Sequence, residues 1–185
     1  MQLESIGSYR LIELLGAGAM GEVYKATDGK MFDRVVALKL LSEKFARNEN
    51  ARSRFQNEVQ YVAHLDHANI IKIFDHGEAD GRPFFVMEFL DGIDLARFMK
   101  DEPSRNIERS VEIARQLCEA LDFAHRHNVV HRDIKPANVM IVRRGDSEQV
   151  KLVDFGIMHV DSSKMTRDGT QPGTSAYSSP EQLRN

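Results

Sequence analysis

The sequence holds a single cysteine, Cys118, no tryptophan and five prolines among 185 residues. One cysteine excludes an intramolecular disulfide and suits a reducing compartment, so a cytoplasmic location is expected. Long hydrophobic runs are missing. Val35–Leu38 and Phe84–Met87 fall far short of the roughly 20 apolar residues that span a bilayer, so no membrane segment is expected. Met1-Gln2-Leu3-Glu4-Ser5 lacks the basic-then-apolar pattern of a signal peptide. An excess of basic charge is missing too. Lys plus Arg is 25 and Asp plus Glu is 28, a net charge of −3, which disfavours a nucleic-acid binder. No internal repeat occurs. What is present is a composition 42% hydrophobic and 29% charged, which suits a globular chain with a core rather than a disordered one.

Strand-like segments fill the first third. Tyr9–Leu15 runs into Gly16, Gly18 and Gly21, Val23–Thr27 ends at the turn pair Asp28-Gly29, and Val35–Leu41 is a further aliphatic run. Together they predict an antiparallel meander. Phe55, Val59, Val62 and Leu65 then recur at helical spacing. Ile70–Phe74 and Pro83–Phe89 read as strands, and Gly92 breaks the pattern. A second helix fits Val111–His125, with Ile113, Leu117, Leu121 and Ala124 on one stripe and Cys118 packed at its edge. Val139–Val142 and Val150–Val153 flank a hairpin-like loop, and Asp161–Ser179 reads as a long polar loop.

Several segments carry chemistry. Gly16-Ala17-Gly18-Ala19-Met20-Gly21 lies between strands, not between a strand and a helix. That context opposes a dinucleotide-binding fold and suits a glycine-rich lid over phosphates, against the plainer reading of a hairpin turn. Lys39 ends an apolar strand, where an ammonium is costly to bury without an anion, and Glu58 on the following helix is its natural partner. His131-Arg132-Asp133-Ile134-Lys135-Pro136-Ala137-Asn138 is poor helix and poor strand but a good polar loop. Its Asp133 suits a base toward a hydroxyl, and its Asn138 suits a ligand to a hard cation. Asp154-Phe155-Gly156 follows an apolar strand, so Asp154 is either a metal ligand or part of an ordinary turn. His125, His127, His131 and Cys118 show no zinc-ligand spacing.

In this order, and with Ser179-Pro180-Glu181 after them, these segments resemble the protein kinase signature. Their wording is most similar to bacterial, eukaryotic-like serine/threonine kinases, from about Tyr9 to the last residue. The resemblance implies an α+β, kinase-like fold of two lobes. An antiparallel β lobe with one main helix would cover residues 1–87, a hinge 88–94, and a mainly helical, incomplete lobe 95–185.

The resemblance also implies ATP and Mg2+ as cofactors, and serine or threonine hydroxyls of proteins as acceptors. By it, Gly16, Gly18 and Gly21 cover the phosphates. Lys39, held by Glu58, grips the α and β phosphates. Asp133 deprotonates the acceptor, Lys135 neutralises the γ-phosphate, and Asn138 and Asp154 ligate magnesium. Val23 and Ala37 would roof the adenine, Met140 would floor it, and Met87 would be the gatekeeper. Backbone groups of Glu88 and Leu90 would bond the adenine edge. Asp94 would reach the ribose or, equally, cap the helix at Leu95–Met99. Val62, Ile73, His131 and Phe155 would form an apolar stack, which makes His131 structural. Arg132 before the catalytic Asp implies regulation by loop phosphorylation, with Thr166 and Thr170 the first candidates and Ser162 and Ser163 behind them. Lys135-Pro136 and Thr174 match the serine/threonine type, and the resemblance admits a homodimer that phosphorylates in trans.

The departures are small. Ala68 stands where the family has proline in the His67-x-Asn69 turn, Met158-His159 follows Asp-Phe-Gly, and Ser179 replaces alanine. The chain stops soon after Glu181, which carries the expectation of a truncated kinase with an incomplete second lobe. Two alternatives stand beside an active protein kinase: an inactive or weakly active nucleotide-binding module of pseudokinase type, and a small-molecule phosphotransferase.

Overall fold

The computed structural model describes residues 4–18, 21–101, 106–145, 147–155 and 175–180. The chain divides into two compact units, residues 1–66 with 71–90, and residues 67–70 with 91–185.

The first unit is a six-stranded antiparallel sheet in the order β1-β2-β3-β4-β6-β5, with two helices. Its strands are β1 (Ser5–Ile6), β2 (Tyr9–Gly18), β3 (Gly21–Asp28), β4 (Arg34–Leu41), β5 (Ile73–Ala79) and β6 (Arg82–Glu88). The helices are α1 (Glu43–Ala46) and α2 (Glu49–Ala63). β4 is central and buried on both faces, which is why Val35–Leu41 reads as a nearly unbroken apolar run rather than an alternating one. One face packs Val36, Leu38 and Leu40 with Ile6, Tyr9, Ala26, Phe84 and Val86. The other receives α2, whose Phe55 ring lies 5.7 Å from that of Phe85. The sheet curls: Tyr9 on β2 donates its hydroxyl to Asp75 on β5, near the opposite edge, at 2.6 Å. Burial, and then that bond to a carboxylate, push the Tyr9 hydroxyl pKa well up.

The second unit holds β7 (Gly92–Asp94), β8 (Val139–Arg144) and β9 (Ser147–Leu152), paired antiparallel in that order. Its helices are α3 (Leu95–Asp101) and α4 (Ile107–Arg126). Asn106 caps α4 by accepting from the Arg109 N–H at 3.2 Å. Arg109 then donates from Nε and Nη2 to the two carboxylate oxygens of Glu148 on β9 and lies over the Phe98 ring of α3. The same guanidinium holds the Glu148 carboxyl below its ordinary pKa.

The expected meander, the helix on Phe55, Val59 and Val62, and the helix α4 are all present. Several boundaries differ. β2 runs through Gly16 to Gly18 because the glycine segment pairs with β3, with Gly18 opposite Gly21. Leu65 is buried but lies beyond the end of α2. β5 begins at Ile73, since Ile70 instead bridges in parallel to Leu152. Gly92 opens a strand rather than breaking one; a Cβ there would lie 2.3 Å from the Ile141 carbonyl oxygen, so glycine is what permits the pairing. On α4 the buried residues are Ile113, Gln116, Ala120 and Ala124, a stripe rotated from the expected one, with Leu117 and Leu121 half-buried and Cys118 exposed. Among the described residues no helix is long and apolar enough to cross a membrane.

Candidate functional site

In the first unit, sheet register places the candidate nucleotide residues. Val23 faces Lys39 across β3 and β4, and Lys39 faces Phe85 across β4 and β6. Ala37 faces Met87, and Ile73 faces Met87 from β5. Directly opposed residues point to the same face, and so do residues two apart on one strand. Val23, Ala37, Lys39 and Met87 therefore share a single face. Ala37 and Met87 are buried there, and the Lys39 ammonium sits 6.0 Å from the Phe85 ring centroid. Glu58 is on α2 between the buried Phe55, Val59 and Val62; its side chain lies outside the described set. The Glu88 N–H donates to the Lys72 carbonyl at 2.9 Å, and Leu90 is half-buried.

The three motif glycines differ. Gly21 has φ of +149°, and a Cβ there would fall 2.1 Å from the Leu40 carbonyl oxygen, so the sheet itself demands glycine. Gly16 and Gly18 have open space where a Cβ would stand. Open space on that side, with no side chain to fill it, is what the close approach of phosphate oxygens needs.

In the second unit, Pro136 sets the loop. The preceding Lys135 is forced into an extended conformation, and Pro136–Asn138 forms one turn closed by Asn138 N–H to the Lys135 carbonyl at 2.9 Å. Asn138, 5% exposed, spends its Nδ2 on the Asp133 carbonyl at 2.8 Å and on Asp133 Oδ2 at 2.9 Å. With Nδ2 so engaged, Oδ1 is the Asn138 atom that suits a hard cation. Lys135 Nζ lies 2.8 Å from Asp133 Oδ2.

His131 is 1% exposed, holds its Nε2 3.0 Å from the Val153 carbonyl oxygen, and accepts the Asp133 N–H at Nδ1, 3.3 Å away. A ring that donates from one nitrogen and accepts at the other is neutral, and burial pulls its pKa down in agreement. The ring stacks at 4.6 Å on Phe155. Val62 and Ile73 are buried in the first unit.

Val153 N–H donates to the Asn138 carbonyl at 3.0 Å, which ties the strand that delivers Asp154 to the loop that carries Asp133. Asp154 has φ of +51° and Arg132 φ of +67°, left-handed conformations that non-glycine residues hold only when their surroundings impose them. Asp133, Lys135, Asn138 and Asp154 thus belong to one bonded assembly. An amide oxygen and a carboxylate form a hard-oxygen donor set that fits magnesium, which takes one or two protein oxygens plus phosphate and water. The glycine edge and the apolar Val23, Ala37 and Met87 face fit a nucleotide.

Met140 is half-buried on β8 opposite Asp94 on β7. Asp94 Oδ1 accepts the Arg97 N–H at 2.9 Å, the helix-capping role. Thr166, Thr170, Ser162, Ser163 and Thr174 lie outside the described residues. The sequence reading missed the Asn69–Gln116 amide pair, bonded at 2.8 Å; a polar residue within the apolar stripe of α4 was the available signal.

Residues 9–185 match the family model described as protein kinase domain. The chain is 38% identical over 177 residues to the probable serine/threonine-protein kinase PknB of Lactococcus lactis, covering 95% of this chain and 28% of that protein. It is 41% identical over 178 residues to serine/threonine-protein kinase PknD of Mycobacterium tuberculosis, covering 96% of this chain and 26% of that protein. The chain thus spans under a third of the length of these curated relatives. Among solved structures, the M. tuberculosis PknI kinase domain aligns at a TM-score of 0.74 and 31% identity, covering 97% of this chain and 68% of that one. With the curled antiparallel sheet, the bonded Asp133–Asn138 loop and the match over residues 9–185, the chain belongs to the protein kinase family.

Proposed function

We propose that this chain carries the catalytic machinery of a serine/threonine protein kinase and transfers the γ-phosphoryl group of ATP to a protein hydroxyl. The observation that supports it best is the Asp133 carboxylate, held by Asn138 at 2.9 Å with Lys135 beside it at 2.8 Å.

Asp133 accepts the proton as the acceptor oxygen forms its bond to phosphorus and the bond to the β-phosphate oxygen breaks, releasing ADP. Lys135 offsets charge on the phosphoryl oxygens. Lys39, held by Glu58, fixes the α and β phosphates, and the backbone of Gly16, Gly18 and Gly21 covers them. Asn138 and Asp154 would hold magnesium, which would spread the charge of the phosphate oxygens. Val23 and Ala37 roof the adenine, Met140 floors it, Met87 is the gatekeeper, and backbone groups of Glu88 and Leu90 bond its edge. Asp94 caps α3 with one oxygen and offers the other to the ribose. Residues 88–94 act as the hinge between 1–87 and 95–185, and Thr166 and Thr170 are the regulatory phosphorylation sites.

The test is transfer of labelled γ-phosphate from magnesium ATP to an acceptor protein, followed by phosphoamino-acid analysis. Label on serine and threonine that falls by about 10²–10⁴-fold in Asp133→Asn supports the reading. Nucleotide binding without transfer would favour the pseudokinase alternative.

A further inference from the structure

β9 has β8 along one edge only. The Val150 and Leu152 backbone groups on its other edge face α4 and the four residues His67–Ile70, which group with the second unit although the chain before and after them belongs to the first. Among the described residues no strand lies there, yet backbone groups of this edge are bonded. Leu152 N–H donates to the Asn69 carbonyl at 2.8 Å. The Val150 carbonyl accepts from Asn69 Nδ2 at 2.8 Å, and Val150 N–H donates to Gln116 Oε1 at 2.9 Å. Asn69 Nδ2 also donates to Gln116 Oε1 at 2.8 Å, and Gln116 Nε2 donates to the Glu148 carbonyl at 3.2 Å. Both amides are buried, at 7% and 8% exposure. Two side-chain amides and one short segment therefore do the work of a missing strand.

This edge lies on the segment that delivers Asp154. Two residues beyond Leu152 the chain enters the left-handed conformation of Asp154, so the placement of β9 sets where that turn begins. The far side is pinned by Val153 to Asn138 and by His131 to Val153. The near side is pinned by Asn69 and Gln116.

We infer that Asn69 and Gln116 are positioning residues for Asp154, and that through β9 they set the strength with which this chain holds the divalent cation beside its nucleotide. The inference rests on the magnesium role proposed for Asp154. Groups that orient a metal ligand typically change metal affinity by about 10–100-fold when removed.

The experiment measures binding of a fluorescent ATP analogue against magnesium concentration, with metal-free nucleotide binding and thermal melting recorded alongside. For Asn69→Leu and for the milder Gln116→Met, the half-saturating magnesium concentration should rise about tenfold or more. Metal-free nucleotide binding should stay within about twofold. Magnesium half-saturation unchanged in a folded variant overturns the inference. So does a parallel loss of metal-dependent and metal-free binding, or a failure of both variants to fold, since either makes the network structural alone. Absence of magnesium-dependent nucleotide binding by the unmodified chain would instead overturn the role proposed for Asp154, and this inference with it.

Discussion

The glycine motif offers a prediction in which stability and binding separate. At Gly21, alanine would meet two costs. Its φ of +149° is a region that L residues avoid, worth about 1–3 kcal/mol. Its Cβ would stand 2.1 Å from a carbonyl oxygen of the central strand, and relieving such overpacking costs about 1–3 kcal/mol more. A loss of about 2–6 kcal/mol is a large share of the ~5–15 kcal/mol of a typical domain. At this chain length it lowers the melting temperature by about 4–24 °C. Gly18→Ala meets no atom within 4 Å, and because glycine is a poor strand residue the change should be neutral or stabilising by up to about 1 kcal/mol. Its cost falls on the ligand: a Cβ on the edge that phosphates approach removes a charge-assisted contact worth about 1.5–3 kcal/mol, roughly 10–100-fold in nucleotide affinity. Thermal melts and nucleotide titrations of both variants decide the matter. A Gly18→Ala protein that binds nucleotide normally refutes the phosphate-cradle argument. A Gly21→Ala protein as stable as its parent refutes the steric one.

Other outcomes follow from single contacts. Tyr9→Phe removes the bond to Asp75 that closes the curl of the sheet and should cost about 1–3 kcal/mol in urea unfolding, with nucleotide affinity unchanged. Asp94→Ala removes the α3 cap, at about 0.5–2 kcal/mol; an accompanying rise in the KM for ATP is expected if the second carboxylate oxygen serves the ribose. His131, its pKa lowered by burial, binds a proton more readily unfolded than folded. Its contribution to stability is therefore full above the unfolded value of about 6.5 and is lost as pH falls below it toward the folded value. The chain should be measurably less stable at pH 5.5 than at pH 7.5, and His131→Phe should flatten that difference.

Much of this was legible in the sequence because it rests on local signals. Alternating and continuous apolar runs marked the strands, and Pro136 with its polar neighbours marked the loop that carries Asp133 and Asn138. What was hidden depends on pairing partners far along the chain. Gly16 to Gly18 extends a strand only because β3 runs beside it, and Gly92 starts one only because a bare backbone fits against Ile141. Apolar periodicity put Leu117 and Leu121 between Ile113 and Ala124 in the stripe of α4; Ile113 and Ala124 are buried, but the buried positions between them are Gln116 and Ala120. That stripe turns toward the open edge of β9, which needs an amide more than a hydrocarbon. Buried hydrogen-bonding demand shows in the sequence only as a polar residue that interrupts an apolar stripe, as Gln116 does.

Asp133, oriented by Asn138, is proposed to make this chain a kinase in its own right. The most direct measurement is the intact mass of the purified protein before and after incubation with magnesium and ATP, beside Asp133→Asn. The account predicts phosphate-sized increments on serine or threonine in the parent and none in the variant. A chain that binds nucleotide and folds but gains no mass and labels no acceptor protein would contradict it, as would equal increments in both proteins.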